Sequence, residues 1–232
     1  MNKILAIEAS GLVASCAVAT EEKIIGEFSL NLKLTHSQTL LPMVDEVVKR
    51  TGTELSEIDA IAVSGGPGSF TGLRIGSATA KGLGLALNKP IVSVPTTQTI
   101  AANIFGFDGY IVPLMDARRN QVYTGIYRHN SEGFTVVRDQ MAVEIGELID
   151  VVNELDEPVI FLGDGVPVFR GILEEKVEVK MQFAPMNNSV QRAGSLALRG
   201  LALFGEGLAV PAADHVPDYL RLSQAERERN EK

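Results

Sequence analysis

The order of predicted strands and helices repeats once along the chain of 232 residues, and no other feature limits the fold as strongly. In each half, three short strand patterns precede a helix, a buried strand, a second helix, another strand and a final helix. The first copy spans residues 3–105 and the second spans residues 110–205. No residue-level repeat accompanies the pattern, so the duplication is inferred from the order of the elements.

A duplicated βββαβαβα unit predicts an α/β protein with two lobes. Strands linked through helices pair in parallel, and the three leading strands form an antiparallel meander beside them, which gives a mixed sheet with helices on its faces. This order is the signature of the actin, sugar-kinase and Hsp70 ATPase superfamily, which is RNase H-like. We place the lobes at residues 1–107 and 108–232, with partner-binding helices in the first and a charged tail in the second. The fold alone specifies no function.

Charge and composition exclude several classes of protein. The chain carries 21 basic and 29 acidic residues, a formal charge of −8, so it is not expected to bind nucleic acid unaided. An RNA partner would be held by another subunit. The opening MNKILAIEAS is typical of a strand rather than a signal sequence, and no run is long enough to span a bilayer. Cys16, the single cysteine, fits a reducing cytoplasm.

Two hairpin loops and one strand-to-helix turn supply the candidate nucleotide contacts. In the superfamily, the loop after each first strand offers an aspartate to a metal-bound nucleotide and small residues to its phosphates. The corresponding residues here are Glu8, Ser10 and Gly11 in the first half, Asp116 and Arg118 in the second half, and Gly163 and Gly165 after the strand VIFL. Glu8 is one methylene longer than aspartate, and arginines replace small residues, which weakens the case for nucleotide hydrolysis. Two readings stay open: ATP or ADP in the inter-lobe cleft or at a subunit boundary, and plain turns without a ligand.

No metal site and no catalytic residue are predicted. The three histidines, His36, His129 and His215, are isolated in the sequence, and none forms a pair with metal-ligand spacing. The chain has no G-x-S-x-G sequence, so a serine-hydrolase triad cannot be argued from spacing.

A glycine-rich stretch at residues 64–82, SGGPGSFTGLRIGSATAKG, looks like a phosphate loop but does not match G-x-x-x-x-G-K-[ST]. Its small residues recur at a spacing of four, as Gly68, Gly72, Gly76, Ala80 and Gly84. They therefore form one stripe of a helix, to which another backbone can come close. With the apolar helix at residues 37–50, this helix could bind a second subunit. The alternative is that both helices cover the protein's own sheet.

Five segments resemble the bacterial TsaB (YeaZ) family across nearly the whole chain: ILAIEAS, THSQTLLPMVDEVV, SGGPGSFTGLRIG, PLMDARRNQVYTGIY and PDYLRLS. The resemblance implies a subunit of the machinery that makes N6-threonylcarbamoyladenosine (t6A) at position 37 of tRNAs reading ANN codons. It implies a non-catalytic protein that pairs with TsaD, a catalytic sister of the same fold. The pair works with the small ATPase TsaE and with a separate enzyme that makes threonylcarbamoyl-adenylate. Contact with tRNA would then be indirect.

The resemblance also implies where the partner binds. In the family, the helices matching residues 37–50 and 70–87 form a bundle with the sister subunit, or with a second copy when the sister is absent. The predicted interface residues are Leu40, Leu41, Val44, Val47, Val48, Gly72, Arg74, Ile75, Gly76, Thr79 and Ala80. On this interpretation, Gly76→Leu or Val44→Glu should weaken the association and leave the monomer folded.

One departure from the sister bears on catalysis. The sister carries a metal-binding H-x-x-x-H in the helix after the strand that matches IVSVP, where this chain reads TTQTIAA. Threonine and alanine cannot replace histidine ligands, so we expect no transfer chemistry. Two alternatives stay open: an active ATP-dependent phosphotransferase or ATPase of the superfamily, and a glycoprotease-like metallopeptidase.

Overall fold

The computed structural model describes residues 1–32 and 35–220. The strands are β1 (Lys3–Glu8), β2 (Ala14–Thr20), β3 (Ile24–Leu30), β4 (Ala60–Gly66), β5 (Ile91–Pro95), β6 (Tyr110–Pro113), β7 (Met115–Asp116), β8 (Gln121–Asn130), β9 (Gly133–Glu144), β10 (Val159–Leu162), β11 (Met181–Phe183) and β12 (Ala209–Val210). The helices are α1 (His36–Thr51), α2 (Phe70–Leu87), α3 (Thr96–Ala101), α4 (Ile145–Asn153), α5 (Val166–Lys176) and α6 (Ala193–Gly205). Among the described residues, no helix combines the length and apolar character that a membrane span needs. The predicted charged tail lies outside the described residues.

The strands form two six-stranded mixed sheets, which confirms the predicted fold class. The first sheet has the order β12-β5-β4-β1-β2-β3, with β1, β4 and β5 parallel and β1, β2 and β3 antiparallel. The second has the order β11-β10-β6-β8-β7, with β9 also paired to β8. β9 continues to Glu144, and α4 begins directly after it at Ile145.

β1 lies inside the first sheet and is covered on both faces. Because successive side chains of a strand point to opposite faces, Leu5 and Ile7 pack under α1 and α2, whereas Ile4 and Ala6 pack against α6. All of these side chains are fully buried. The sheet is therefore the middle layer between two layers of helices.

Residues 193–210 return to the first sheet, and this differs from the predicted division at residues 107 and 108. α6 packs on β1, β2 and β4, and β12 pairs with β5. The contact depends on small residues, since a Cβ atom on Gly200 would lie 2.6 Å from the Cβ of Ala62. The second sheet is thus built from residues 110–183, while α6 and β12 belong to the first lobe.

The small-residue stripe of α2 faces the protein's own first sheet, so its interpretation as a partner-binding stripe is wrong. A Cβ atom on Gly72 would overlap the carbonyl oxygen of Ala9, and one on Gly76 would lie 3.3 Å from the Cβ of Ala9. Ala80 is fully buried in the same core. The stripe lets α2 approach the end of β1, and Gly76→Leu should therefore unsettle the monomer itself.

The apolar face of α1 is corrected in the same way. Leu40, Val44 and Val47 are buried in the core beneath α1 and are not available to a partner. Val44→Glu would place a carboxylate in that core, where an unpaired charge is strongly disfavoured. The expectation that this variant leaves the monomer folded is not supported.

Gly72→Ala should lower the free energy of unfolding by roughly 1–3 kcal/mol, because the added methyl overlaps a backbone carbonyl that cannot rotate away. Gly82→Ala on the same helix is the matched control, since a Cβ atom there meets nothing within 4 Å. It should raise the free energy of unfolding by up to about 1 kcal/mol. Urea denaturation of both variants tests the pair, and a Gly72→Ala protein as stable as the wild type would contradict this account of the stripe.

Candidate functional site

A cleft of about 390 Å³ lies between the lobes. Its walls come from the β1–β2 hairpin tip and the β4–α2 turn in the first lobe, and from the β7–β8 hairpin and the β10–α5 turn in the second. The lining residues are Ser10, Gly11, Leu12, Gly68, Ser69, Met115, Asp116, Ala117, Arg118, Tyr123 and Asp164. The structure thus brings Ser10, Gly11, Asp116 and Arg118 of the candidate nucleotide contacts to one cleft. Glu8, Gly163 and Gly165 do not line the cleft.

Glu8 lies fully buried behind the first loop. One carboxylate oxygen accepts hydrogen bonds from the backbone N–H and the hydroxyl of Ser10, at 2.7 and 2.6 Å, and the other accepts from the hydroxyl of Ser64. Burial raises the pKa of Glu8, although these hydrogen bonds act in the opposite direction. Both donors of Ser10 that could hold a phosphate are therefore engaged by Glu8.

The first hairpin tip is fixed by its neighbours on the other sides. Ser69 N donates to the carbonyl oxygen of Ser10 at 2.7 Å, and His36 Nε2 donates to the carbonyl oxygen of Gly11 at 2.8 Å. A Cβ atom on Gly11 would lie 2.8 Å from Nε2 of Gln191, so the side chain of Gln191 packs directly on this glycine. The loop is occupied by protein contacts.

The second hairpin is a tight turn closed on itself. Arg118, Arg119 and Asn120 all have positive φ angles, of 64°, 55° and 59°. Asp116 accepts a hydrogen bond from Arg118 N at 2.8 Å and forms an ion pair with the Arg118 guanidinium at 3.1 Å. Arg118 is thus paired within its own loop.

Asp164 is the second carboxyl group on the wall of the cleft. Burial raises the pKa of Asp164, and the nearby charge of Asp116 raises it further. One carboxylate oxygen of Asp164 has no hydrogen-bond partner among residues 1–32 and 35–220. Two carboxylates and two engaged serine donors fit a polyphosphate poorly, so we derive no reaction step through a nucleotide here.

The glycines after β10 allow two segments of the chain to pack closely against each other. Gly163 has a φ of 108°, and a Cβ atom there would overlap the carbonyl oxygen of Leu114. Gly165 N donates to the same oxygen at 2.9 Å. These glycines allow the β10–α5 turn to pack on the β6–β7 segment, and a nucleotide contact is not needed to explain them.

The outer face of α1 and α2 is the second candidate surface. Leu41 and Arg74 are exposed, and Val48, Ile75 and Thr79 are half-buried, so these predicted interface residues do reach the surface. Gly72, Gly76 and Ala80 face inward, as described above. An unpredicted second stripe of small residues, Ala78, Gly82 and Ala86, is exposed along α2 at the same spacing of four.

Comparison with known proteins identifies the family. A family model described as "TsaD: tRNA N6-adenosine threonylcarbamoyltransferase" matches residues 23–229. The tRNA threonylcarbamoyladenosine biosynthesis protein TsaB of Bacillus subtilis is 35% identical over 223 residues, which are 96% of each chain. The protein of the same name from Escherichia coli is 29% identical over 226 residues, again 96% of each chain. This chain belongs to the TsaB (YeaZ) family.

Solved structures share the fold of this TsaB family member. A Pseudomonas aeruginosa protein described as similar to the peptidase YEAZ superimposes with a TM-score of 0.79 at 25% identity, over 95% of this chain and 100% of that one. YeaZ from the same organism gives a TM-score of 0.76 at 24% identity with the same coverage. A putative N-acetylmannosamine kinase from Listeria monocytogenes, with a TM-score of 0.50 at 13% identity over 88% of this chain and 99% of that one, shares the fold only.

In this TsaB family member, α3 is part of the hydrophobic core. Its six residues are all buried, and Ile100 packs with Ile111 and Met115 of the second lobe. The hydroxyl of Thr97 lies 2.7 Å from that of Tyr127. Within residues 1–32 and 35–220, no group of three histidine, cysteine, aspartate or glutamate side chains is placed to hold a metal ion.

Sequence reasoning missed Arg199 of α6, which is only 8% exposed. Its guanidinium donates to Gln98 Oε1 at 3.0 Å and stacks on the ring of Phe134 at 4.1 Å, so it joins α6, α3 and β9. Burial lowers the pKa of Arg199. The only signal in the sequence is a single arginine within the apolar segment LALRGLAL.

Sequence reasoning also missed the C-terminal segment at residues 211–220. Lys81 on α2 donates to the carbonyl oxygens of Ala213 and His215 at 2.8 and 2.9 Å. Asp218 N donates to the carbonyl oxygen of Gly65 at 2.6 Å, and its carboxylate accepts from Gln140 of the second lobe at 2.9 Å. The segment is therefore hydrogen-bonded to α2 and also links the two lobes.

Glu8→Gln should become relatively more stable than the wild type as the pH rises. Because folding raises the pKa of Glu8, the unfolded chain loses this proton at a lower pH, near the ordinary glutamate value of about 4.3. Above that pH the unfolded state binds fewer protons than the native state, so wild-type stability falls until Glu8 ionises in the native protein. The amide of the Glu8→Gln variant has no such proton to lose.

Urea denaturation of both proteins from about pH 5 to about pH 8 measures this difference, and all other titrating groups largely cancel between them. A difference in unfolding free energy that does not change with pH, or that changes in favour of the wild type as the pH rises, would show that Glu8 ionises normally in the native state.

Proposed function

We propose that the protein takes part in the biosynthesis of threonylcarbamoyladenosine in tRNA, as a subunit that does not itself transfer the threonylcarbamoyl group. The observation that carries this proposal is the 35% identity to Bacillus subtilis TsaB over 96% of both chains, because that protein is named for this modification. α3 supports the non-catalytic role. At the position of the sister's paired histidines, buried threonine and isoleucine side chains fill the core.

The partner in this proposal is a TsaD-like catalytic subunit, bound by the outer face of α1 and α2. The inward stripe of α2 packs on the protein's own sheet, whereas Ala78, Gly82 and Ala86 place small side chains on the outward face of the helix. Small residues at this spacing let a second helix approach closely. Leu41 of α1 is 54% exposed and offers an apolar contact. A TsaE-like ATPase joins the pair, and tRNA is held through the complex, since this chain carries a net charge of −8.

The alternative activities have weaker support. A phosphotransferase or ATPase would need phosphate donors in the first loop, and those of Ser10 are engaged by Glu8. A metallopeptidase centred on α3 would have to replace buried core residues with metal ligands. Calorimetry of the isolated protein with Mg-ATP should therefore detect no tight binding.

Reconstitution with the catalytic subunit, the ATPase, the adenylate-forming enzyme and tRNA tests the proposal directly. Leaving out this protein should abolish t6A formation, and this protein alone with tRNA and threonylcarbamoyl-adenylate should form none. Full modification in its absence, or turnover by the isolated chain, would refute the proposal.

Ala78→Arg should weaken binding to the catalytic subunit by roughly tenfold or more, which corresponds to about 1.4 kcal/mol or more. The long charged side chain would hold the partner helix away from the smooth face of α2. Ala78 is exposed, so the monomer should keep its stability. Calorimetric titration gives the dissociation constant, and urea denaturation checks the fold.

Val168→Arg is the matched control, because Val168 is 59% exposed on α5 in the other lobe. It introduces the same charge at a distance from the proposed interface and should leave the dissociation constant unchanged. Equal binding by both variants would place the partner elsewhere.

A further inference from the structure

The cleft between the lobes contains one carboxyl group that no neighbour neutralises. Asp164 lies on its wall, in the β10–α5 turn. Within residues 1–32 and 35–220, no basic side chain forms an ion pair with Asp164. Its Oδ1 atom is enclosed by protein and has no hydrogen-bond partner there. A buried carboxyl oxygen without a partner is costly, and native proteins satisfy the large majority of such groups.

The other carboxyl group of the cleft is already neutralised. Asp116 accepts the backbone N–H of Arg118 at 2.8 Å and forms an ion pair with its guanidinium at 3.1 Å. The side chain of Arg118 is 86% exposed, so its charge stays in solvent at the hairpin tip. Of the two carboxyl groups that line the cleft, Asp164 is therefore the one that lacks a counter-ion.

Other walls of the cleft suit the carbon chain of a small ligand. Leu12 lines the cleft at the tip of the first hairpin and is nevertheless 65% exposed. Met115 and the ring of Tyr123 add further apolar surface in the second lobe. The volume of about 390 Å³ is near the lower end of the range for small-molecule sites. The cleft thus combines an unbalanced carboxyl group with apolar surface.

We infer that the cleft binds a small primary amine in its ammonium form, with Asp164 as the counter-ion. An ammonium group has three N–H donors and no acceptor, so it adds no unpaired acceptor to the site. Its hydrogen bond to a carboxylate is roughly twice as strong as one between neutral groups. Because the χ2 torsion of aspartate is broad, the carboxyl group can turn Oδ1 toward the ligand. The carbon chain of the amine then lies against Leu12 and Met115.

Other classes of ligand fit these residues less well. A hard metal ion takes six or more oxygen ligands, and the part of the chain that the structure describes has no group of three side chains placed to hold one. An anion would meet the carboxyl group of Asp164 and a serine, Ser10, whose donors are engaged by Glu8. A cation close to Asp164 instead favours the ionised form of this partly buried group.

This site is independent of the proposed function, because the ligand occupies the cleft and leaves the outer face of α1 and α2 free. Amine binding and t6A formation can therefore succeed or fail separately.

Titration of the full chain with butylamine, butanol and butyrate at equal ionic strength tests the ligand class, because the three probes share one carbon chain and differ in charge. Near neutral pH, butylamine should shift the backbone amide NMR signals of Ala117 and Asp164 in a saturable way, with a dissociation constant on the order of 1 mM. Butanol and butyrate should bind at least roughly tenfold more weakly.

Asp164→Asn keeps the shape of the side chain and removes its charge. It should raise the dissociation constant for butylamine by roughly tenfold or more. Asp150→Asn is the matched control, because Asp150 is exposed on α4 of the same lobe and does not line the cleft. It should leave the dissociation constant unchanged. Circular dichroism checks that both variants fold.

A second variant leaves Asp164 in place. Leu12→Lys adds an ammonium group at the exposed tip of the first hairpin, where it should weaken butylamine binding by charge repulsion and by competition for Asp164. Leu198→Lys is its control, because Leu198 is 50% exposed on α6 and does not line the cleft.

Three outcomes would overturn the inference: no saturable binding of butylamine, equally strong binding of butanol or butyrate, and butylamine binding that neither Asp164→Asn nor Leu12→Lys weakens.

Discussion

The close approach of α2 to the end of β1 is the contact on which the rest of the structure depends. With glycine at position 72, the helix backbone can lie directly against the carbonyl group of Ala9. The start of α2 then meets the hairpin tip, and Ser69 N binds the carbonyl oxygen of Ser10. Glu8 is enclosed as a result, and it turns inward to bind Ser10 and Ser64. One helix contact thus determines the first wall of the cleft.

The two lobes are held together by polar groups in a buried interface. Arg199 reaches from α6 to Gln98 and Phe134, and Thr97 meets Tyr127 beside it. These contacts replace water with specific partners, so lobe movement would expose a guanidinium and a phenol that now have partners within the protein. Asp218 adds a further link between the lobes, because it is hydrogen-bonded to both Gly65 and Gln140. The cleft is therefore a consequence of how the lobes dock, and its polar groups are largely engaged before any ligand arrives.

The order of elements and the mixed sheets could be predicted because strand and helix periodicities are local properties of the sequence. The place of α6 could not, because GSLALRGLALFG is apolar on every side and shows only that the helix is buried, not which sheet covers it. The hydrogen bonds between Ser10 and Glu8 could not be predicted from the sequence either. A serine two residues after a glutamate is compatible with a phosphate loop and with an internal hydrogen bond, and the decision depends on Ser64, which is distant in sequence.

The stripe on α2 shows why spacing alone misled the prediction of the site. Small residues at a spacing of four indicate that another backbone comes close to the helix. They do not indicate whether that backbone belongs to the same chain or to a partner. α2 carries two such repeats. Gly72, Gly76 and Ala80 face the protein's own first sheet, whereas Ala78, Gly82 and Ala86 remain on the surface. Burial distinguishes the two repeats. A small residue that faces inward lets the helix pack closely on the sheet, whereas one that faces outward contributes only its helix propensity to the stability of the monomer. The outward repeat is therefore the part of α2 that the packing of the monomer does not explain.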